Sequence, residues 1–216
     1  ICLAAKTDPK QGSKGISLLM IETDDLEGFR RGKPLKKVGM KGNDTAELFF
    51  ENVKIPQTNL LGSEEGKGFY QLMKQLPWER LYIGIAGLGA ADCALEETLK
   101  YVKERKAFGQ RVFDFQNTKF KLAELKTKTE VTRSFINDCI QKLVAGDLDA
   151  ATASMAKYWG SQIQGEILDE CVQLHGGYGF MAEYPVARMW TDARVQKIYG
   201  GTNEIMKELI ARSLDD

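Results

Sequence analysis

Four places along the chain combine residue types and spacing that could do chemistry. In Pro77-Trp78-Glu79-Arg80 a carboxylate sits beside a guanidinium in the first turn of a helical run. Such a pair is ordinarily helix-dipole decoration and a solvated surface contact; in a dry pocket the same glutamate is a general base. Glu104-Arg105-Lys106-Ala107-Phe108-Gly109-Gln110 closes a long helical stretch. It reads either as a basic helix end favoured by the macrodipole or as an arginine aimed at a phosphate with an aromatic beside it. Gln173-Leu174-His175-Gly176-Gly177-Tyr178-Gly179 carries three glycines, which could cap a helix or bring bare backbone close to a pyrophosphate. Because it follows a helix and not a strand, it is not the dinucleotide fingerprint of a doubly wound sheet. Ile198-Tyr199-Gly200-Gly201-Thr202-Asn203-Glu204-Ile205 offers Thr202 as an N-cap and exposed amides that suit an anionic or carbonyl oxygen.

Composition narrows the chemistry. The chain has a single histidine, His175, too few imidazoles for a serine-hydrolase triad or a histidine-rich metal centre, so no metal site is expected. Carboxylates, backbone dipoles or a cofactor must do the work. Thirty basic residues balance thirty acidic ones, giving no electrostatic sign of a nucleic-acid partner, and no apolar run reaches membrane-spanning length. Cys2, Cys93, Cys139 and Cys171 are scattered without a C-x-x-C pair and read as reduced, mostly buried thiols.

The elements that must position these residues fall into two parts. Residues 1–62 read as β structure, with strands at 16–21 and 47–53 and turns at Asp8-Pro9, Gly12, Pro34, Gly42 and Pro56. So few strands leave open edges, and a start at Ile1 inside a strand-like run reads as internal. From Ser63 the period becomes helical. A helix opens at Gly66-Lys67-Gly68 and is interrupted at Pro77, which starts a new helix running to Arg105 and ending at Phe108-Gly109. Its stripe of Ile83, Ala86, Gly87, Ala90, Ala94 and Leu95 invites close approach by another helix. Further helices are expected at 116–144, 149–174, 184–198 and 202–214. The fold class is therefore mainly α: an antiparallel helical bundle over 63–216, preceded by an incomplete, β-barrel-like domain over 1–62.

In order and spacing, Arg105 to Gln110, Gln173 to Gly179, Glu183-Tyr184-Pro185 and Tyr199 to Glu204 resemble the acyl-CoA dehydrogenase family over essentially the whole chain. The resemblance implies an FAD-dependent enzyme of fatty-acid β-oxidation that removes a proton from the α-carbon of an acyl-CoA thioester while a β-hydride passes to flavin N5. It implies that Arg105 and Gln116 contact the flavin dinucleotide, that Gln173, Leu174, His175, Gly176 and Gly177 cradle its pyrophosphate and adenosine part, and that Thr202, Asn203 and Glu204 line it near a helix start. Tyr70, Pro77, Trp78, Arg80, Gly200 and Gly201 would face the acyl-CoA, with the Gly200 N–H on the thioester carbonyl. Most members place the catalytic glutamate where this chain has Gly200. A minority, resembling the long-chain and isovaleryl enzymes, carry it on the helix that starts the bundle, where Glu79 stands. The absent side chain at Gly200 would leave room for it.

The resemblance also implies a homo-oligomer, usually a tetramer, electron-transfer flavoprotein as acceptor, and a bacterial cytoplasmic or mitochondrial-matrix location. The alternatives within the fold are an acyl-thioester oxidase, a carrier-protein acyl dehydrogenase, or a non-catalytic, nucleic-acid-binding homologue. A fragment of this length, holding only part of the flavin site, is expected to be inactive alone.

Overall fold

The computed structural model describes residues 1–215. They divide into two compact units: Ile1–Lys37 with Lys41–Gln75, and Val38–Met40 with the chain from Leu76 onward.

The first unit holds two antiparallel ribbons. β1 (Cys2–Lys6) pairs with β2 (Ile16–Met20) in the register Cys2↔Met20 to Lys6↔Ile16, and β3 (Phe29–Arg31) pairs with β4 (Leu48–Phe50). The β1–β2 connection is a 3-10 turn capped by Asp8, whose carboxylate accepts from the Lys10 amide at 3.0 Å. The strand expected over 47–53 is shorter, because Asn52 takes a left-handed backbone (φ 52°) and ends the ladder. Only Gly15, Ser17, Leu18, Ile21 and Gly68 of this unit are buried. Two-stranded ribbons with so few buried residues fit the incomplete β domain expected from the open edges in the sequence.

The second unit is an antiparallel helical bundle. α1 (Gly68–Glu104) enters it at Leu76 and is followed by α2 (Gln116–Ala145), α3 (Ala150–His175), α4 (Pro185–Ala193) and α5 (Asn203–Arg212). α1 is one helix through Pro77, not two. A proline inside a helix costs about 3 kcal/mol. The buried face that begins at Arg80 and Leu81, one turn later, keeps the helix continuous. α2 stops at Gly146 (φ 82°), whose N–H meets Leu143 O, and Asp149 caps α3 by accepting from Thr152 N at 2.8 Å. The run expected as one helix over 184–198 tightens into a 3-10 turn at Arg194–Lys197.

The core is built where these helices meet. One cluster joins Ala91, Leu95 and Val102 of α1, Leu122 and Leu125 of α2, Ile163, Ile167 and Leu168 of α3, and Val186 of α4. A second joins Leu81 and Leu88 to Ile136, Cys139 and Ala156. The small residues of α1 do admit α3 closely, and the closest point is Gly84. A Cβ there would lie 2.6 Å from Ala156 O, and one at Gly160 would lie 2.7 Å from Gly84 Cα. Between α1 and α2, Lys106–Ala107 (β5) and Gln110–Arg111 (β6) form a hairpin. Phe108-Gly109 therefore turns a ribbon and does not cap the helix. Both residues have positive φ (52° and 82°), as a two-residue type I′ turn requires. Of the four cysteines, all free, Cys139 and Cys171 are buried and Cys2 and Cys93 exposed, so half of the thiols are not buried as expected.

Candidate functional site

The first site is a cleft of ≈ 550 Å³ where α3 ends. Its walls are Tyr101 and Arg105 of α1, Val112, the stretch Gln173–Tyr178, and Met181. α3 stops because Gly176 adopts φ 60°, ψ −140°, a region essentially reserved for glycine, while its N–H still reaches Gln173 O. The His175 ring is buried, its Nδ1 2.8 Å from Cys171 O, and it stacks on Tyr101 at 4.3 Å and 19°. Tyr101 in turn donates from its hydroxyl to His175 O at 3.1 Å. Burial lowers the His175 pKa, outweighing the Cys171 carbonyl, so the ring is neutral at pH 7. Tyr178 and Tyr184 extend the cluster, with centroids 5.1 Å apart, and the Arg105 guanidinium lies 5.5 Å over Tyr178. A neutral aromatic floor, one exposed cation at the rim and bare backbone at Gly176 and Gly177 suit a flat ring carrying phosphates. A Cβ at either glycine would meet nothing within 4 Å, so the approach to their backbone is open.

The second site lies where α1, α3 and the start of α5 meet. Thr202 caps α5, its hydroxyl accepting from Ile205 N at 3.3 Å. Before it, Gly200 (φ 66°) and Gly201 (φ 96°) form a left-handed turn. Arg80 is buried and donates from Nε to Gly200 O at 3.4 Å. Burial disfavours its charged form and the neighbouring Glu79 opposes that. Behind the turn, Lys157 is fully buried and donates to Asn203 Oδ1 at 2.8 Å, and Ser161 Oγ donates to the same oxygen at 3.1 Å. Burial pushes Lys157 down to about 8, with Glu204 raising it and Arg80 lowering it further. Asn203 Nδ2 and Gln164 Oε1 are buried without a partner among the described residues.

Comparison with known proteins decides the family. The family model for the acyl-CoA dehydrogenase C-terminal domain matches residues 66–214. The mitochondrial long-chain specific acyl-CoA dehydrogenase of Rattus norvegicus is 54% identical over 207 residues, covering 96% of this chain and 48% of that protein. The chain belongs to the acyl-CoA dehydrogenase family. Among solved structures of acyl-CoA dehydrogenases, that from Geobacillus kaustophilus superposes with a TM-score of 0.96 at 49% identity, over 100% of this chain and 57% of that one. Butyryl-CoA dehydrogenase from Megasphaera elsdenii gives 0.93 at 37% identity, over 100% and 56%. The chain thus spans about half the length of the curated relatives it matches.

On this acyl-CoA dehydrogenase scaffold, the sequence-derived residues fall into separate groups. Arg105, Gln173, Leu174, His175, Gly176 and Gly177 share the cleft. Gln116, the first residue of α2, is exposed and does not line it. Arg80, Gly200 and Gly201 meet at the turn, where a Cβ on Gly201 would come 3.9 Å from Arg80 Nη2. Asn203 points inward to Lys157, while Glu204 is exposed, its carboxyl held low first by its own backbone N–H and then by Thr202. Glu79 is exposed, not buried against apolar surface. Trp78 stacks on Tyr82 at 5.8 Å, Pro77 is half-buried, and Tyr70, in the first unit, is half-exposed and packs edge-on to Phe69.

The space beside Gly200 is not vacant. A Cβ there would lie 2.5 Å from Ile83 Cδ1. A glutamate placed at position 200 would have to hold a left-handed backbone and displace Ile83. Sequence reasoning missed Lys157, Ser161 and Gln164. Their spacing marks one face of α3, but a polar stripe at helical spacing ordinarily faces solvent. The small neighbours Ala153, Ala156 and Gly160 were the available sign that this face is inside.

Proposed function

We propose that this chain is the portion of an acyl-CoA dehydrogenase that carries the catalytic base, Glu79, and part of the flavin site, and that it serves α,β-dehydrogenation of long-chain or branched acyl-CoA thioesters. In this reading residues 1–62 are the distal part of the middle β domain and 63–216 the helical domain. The observation that carries the base assignment is the pairing of Gly200 with Glu79. Residue 200 has no carboxylate and Ile83 Cδ1 lies 2.5 Å from where its Cβ would stand, while Arg80, the residue next to Glu79, reaches Gly200 O. The helical turn bearing Glu79 is thereby tied to the turn whose Gly200 N–H can receive the thioester oxygen.

Each residue has a task in the reaction. The Gly200 amide orients the thioester carbonyl and favours the negative charge that collects on its oxygen as the α-proton leaves. Glu79 takes that proton once an acyl chain and the rest of the protein exclude water from it. Arg80, Tyr70, Pro77, Trp78 and Gly201 face the acyl-CoA. The donor set of the cleft fits FAD. Arg105 and Gln173–Gly177 would hold its adenosine and pyrophosphate, Gln116 would make a further contact, and Thr202, Asn203 and Glu204 would line it. When bound, the flavin supplies the acceptor for the β-hydride. The partners in this reading are a second copy or more of the chain, as a tetramer, and electron-transfer flavoprotein. Among the described residues no helix is long and apolar enough to cross a membrane, and the proposed setting is the mitochondrial matrix or the bacterial cytoplasm.

Glu79→Gln in the full-length flavoprotein containing this chain is expected to lose roughly 10²–10⁴-fold in kcat, the usual contribution of a general base. Flavin absorbance should persist, because the cleft is elsewhere. Turnover close to wild type in that variant would overturn the assignment.

A further inference from the structure

Among the described residues Lys157 is the largest fully buried side chain, and its surroundings are unusual for a cation. Among the described residues no carboxylate pairs with it. Its partner is the neutral Asn203 oxygen at 2.8 Å, shared with Ser161. Asn203 is the first residue of α5, so the ammonium lies behind the positive end of a helix dipole, with Arg80 of α1 the cation and Glu204 of α5 the carboxylate that act on it. A buried charge without a counter-ion is costly, and a well-packed apolar replacement is often neutral or stabilising. Core stability alone therefore does not account for a lysine here. The cost is explained if negative charge forms nearby at some stage of the protein's work.

We propose that Lys157 is a positioning residue for the carbonyl-binding turn: through Asn203 it fixes Gly200–Thr202 against α3, and its charge favours the negative charge that develops on the thioester oxygen. This rests on the acyl-CoA dehydrogenase reading given above. Two contacts from different helices hold the turn, Arg80 Nε of α1 on Gly200 O and Lys157 Nζ of α3 on Asn203 Oδ1. Both contacts fall within Gly200–Asn203, the short turn that presents the Gly200 amide. Two glycines make the turn soft, so its geometry depends on such anchors. Displacing an amide donor by even an ångström weakens its hold on an oxyanion more than its hold on a ground-state carbonyl, so the loss falls on kcat more than on KM.

The test uses the full-length flavoprotein with Lys157→Met, and with Lys157→Met/Asn203→Leu to replace the pair by apolar groups of similar size. Both variants are expected to lose about tenfold or more in kcat with KM changed by less than about threefold, while the double variant melts at or above the wild-type temperature. A second readout does not depend on turnover. With Glu79→Gln in the background, the C=O stretch of bound acyl-CoA should move to higher wavenumber when Lys157→Met is added, reporting a weaker hold on the oxygen. Unchanged kcat and unchanged stretch overturn the proposal, and so does a double variant that regains full kcat along with its stability. Failure of both variants to fold also overturns it, assigning Lys157 to the core alone. A parent protein that does not oxidise acyl-CoA sinks the dehydrogenase reading itself. An active parent with an indifferent Lys157→Met sinks only this inference.

Discussion

The two sites are built on opposite principles. The cleft at the end of α3 is open, aromatic and neutral, and its one cation, Arg105, is exposed at the rim. The crossing of α1, α3 and α5 is closed, polar and positive, with Lys157 and Arg80 both buried. In the cleft, recognition would come from shape and bare backbone, so exposed residues such as Arg105 and Gly177 can be changed without disturbing the core, although Tyr101, Val112 and Leu174 of its walls pack on it. At the crossing, the groups that would meet the reacting atoms are joined to the packing that holds the bundle together. Stability and chemistry are thus separable at the first site and coupled at the second.

The most severe way to break that coupling is at the helix contact itself. Gly160→Leu would place its Cβ 2.7 Å from Gly84 Cα and 2.9 Å from Gly84 O. Backbone cannot move aside as a flexible side chain does, so the helices must separate. The expected loss is about 3 kcal/mol or more, read as a lower urea midpoint at unchanged slope. Because Lys157 and Ser161 flank Gly160 on α3, the turn at Gly200 should loosen with it. A Gly160→Leu protein as stable as the parent would show that the α1–α3 approach is not tight.

A milder probe of the crossing is pH. Lys157 titrates at about 8 in the folded chain against an ordinary 10.5. Between those values the unfolded chain holds a proton that the folded chain has released, so unfolding free energy rises with pH across that window. Below it, the cost of the buried charge is fully present. Arg80 and Glu204 are the charged groups facing it, and Glu204, whose carboxyl is held low, stays ionised across that range. Comparing urea midpoints at pH 7 and pH 10, wild type should gain stability relative to Lys157→Met. Parallel behaviour of the two proteins would mean that Lys157 keeps its charge in the folded chain throughout that range.

The same contrast explains what the sequence disclosed. Local signals carried the cleft. Gly176 and the helix stop at His175 were legible because a backbone that needs positive φ demands glycine, whatever surrounds it, and Gly177 and Arg105 were read beside them from residue type alone. Long helices were legible from their period, although Pro77 misled: its missing N–H is a local fact, and the packing of Leu81 that keeps α1 continuous is not. Phe108-Gly109 misled for the opposite reason, since a glycine after a helix fits a cap and a hairpin turn equally well. The crossing was hidden because burial of Lys157 depends on a partner 46 residues away. The filled space at Gly200 was hidden too, because Ile83 reaches it only through the tertiary fold. Glu79 and Gly200 could be paired from a family pattern, yet the contact that ties their turns together, Arg80 to Gly200 O, required coordinates.

The finest test of the comparison is a pair of substitutions one residue apart in the cleft. Gly176 has φ 60° and ψ −140°, where an L-residue is strained, whereas Gly177 lies outside the positive-φ region. Neither Cβ would meet any atom within 4 Å, so steric contact is removed from the question and only backbone strain remains. Gly176→Ala should cost about 1–3 kcal/mol, and Gly177→Ala should stay within about 0.5 kcal/mol of wild type. Both methyl groups would nonetheless stand where a ligand's phosphates are proposed to approach the backbone. If the cleft serves recognition separately from stability, Gly177→Ala weakens flavin retention at unchanged melting temperature. Flavin retention equal to wild type in Gly177→Ala would remove that residue from the cradle and narrow the approach to Gly176 and Arg105.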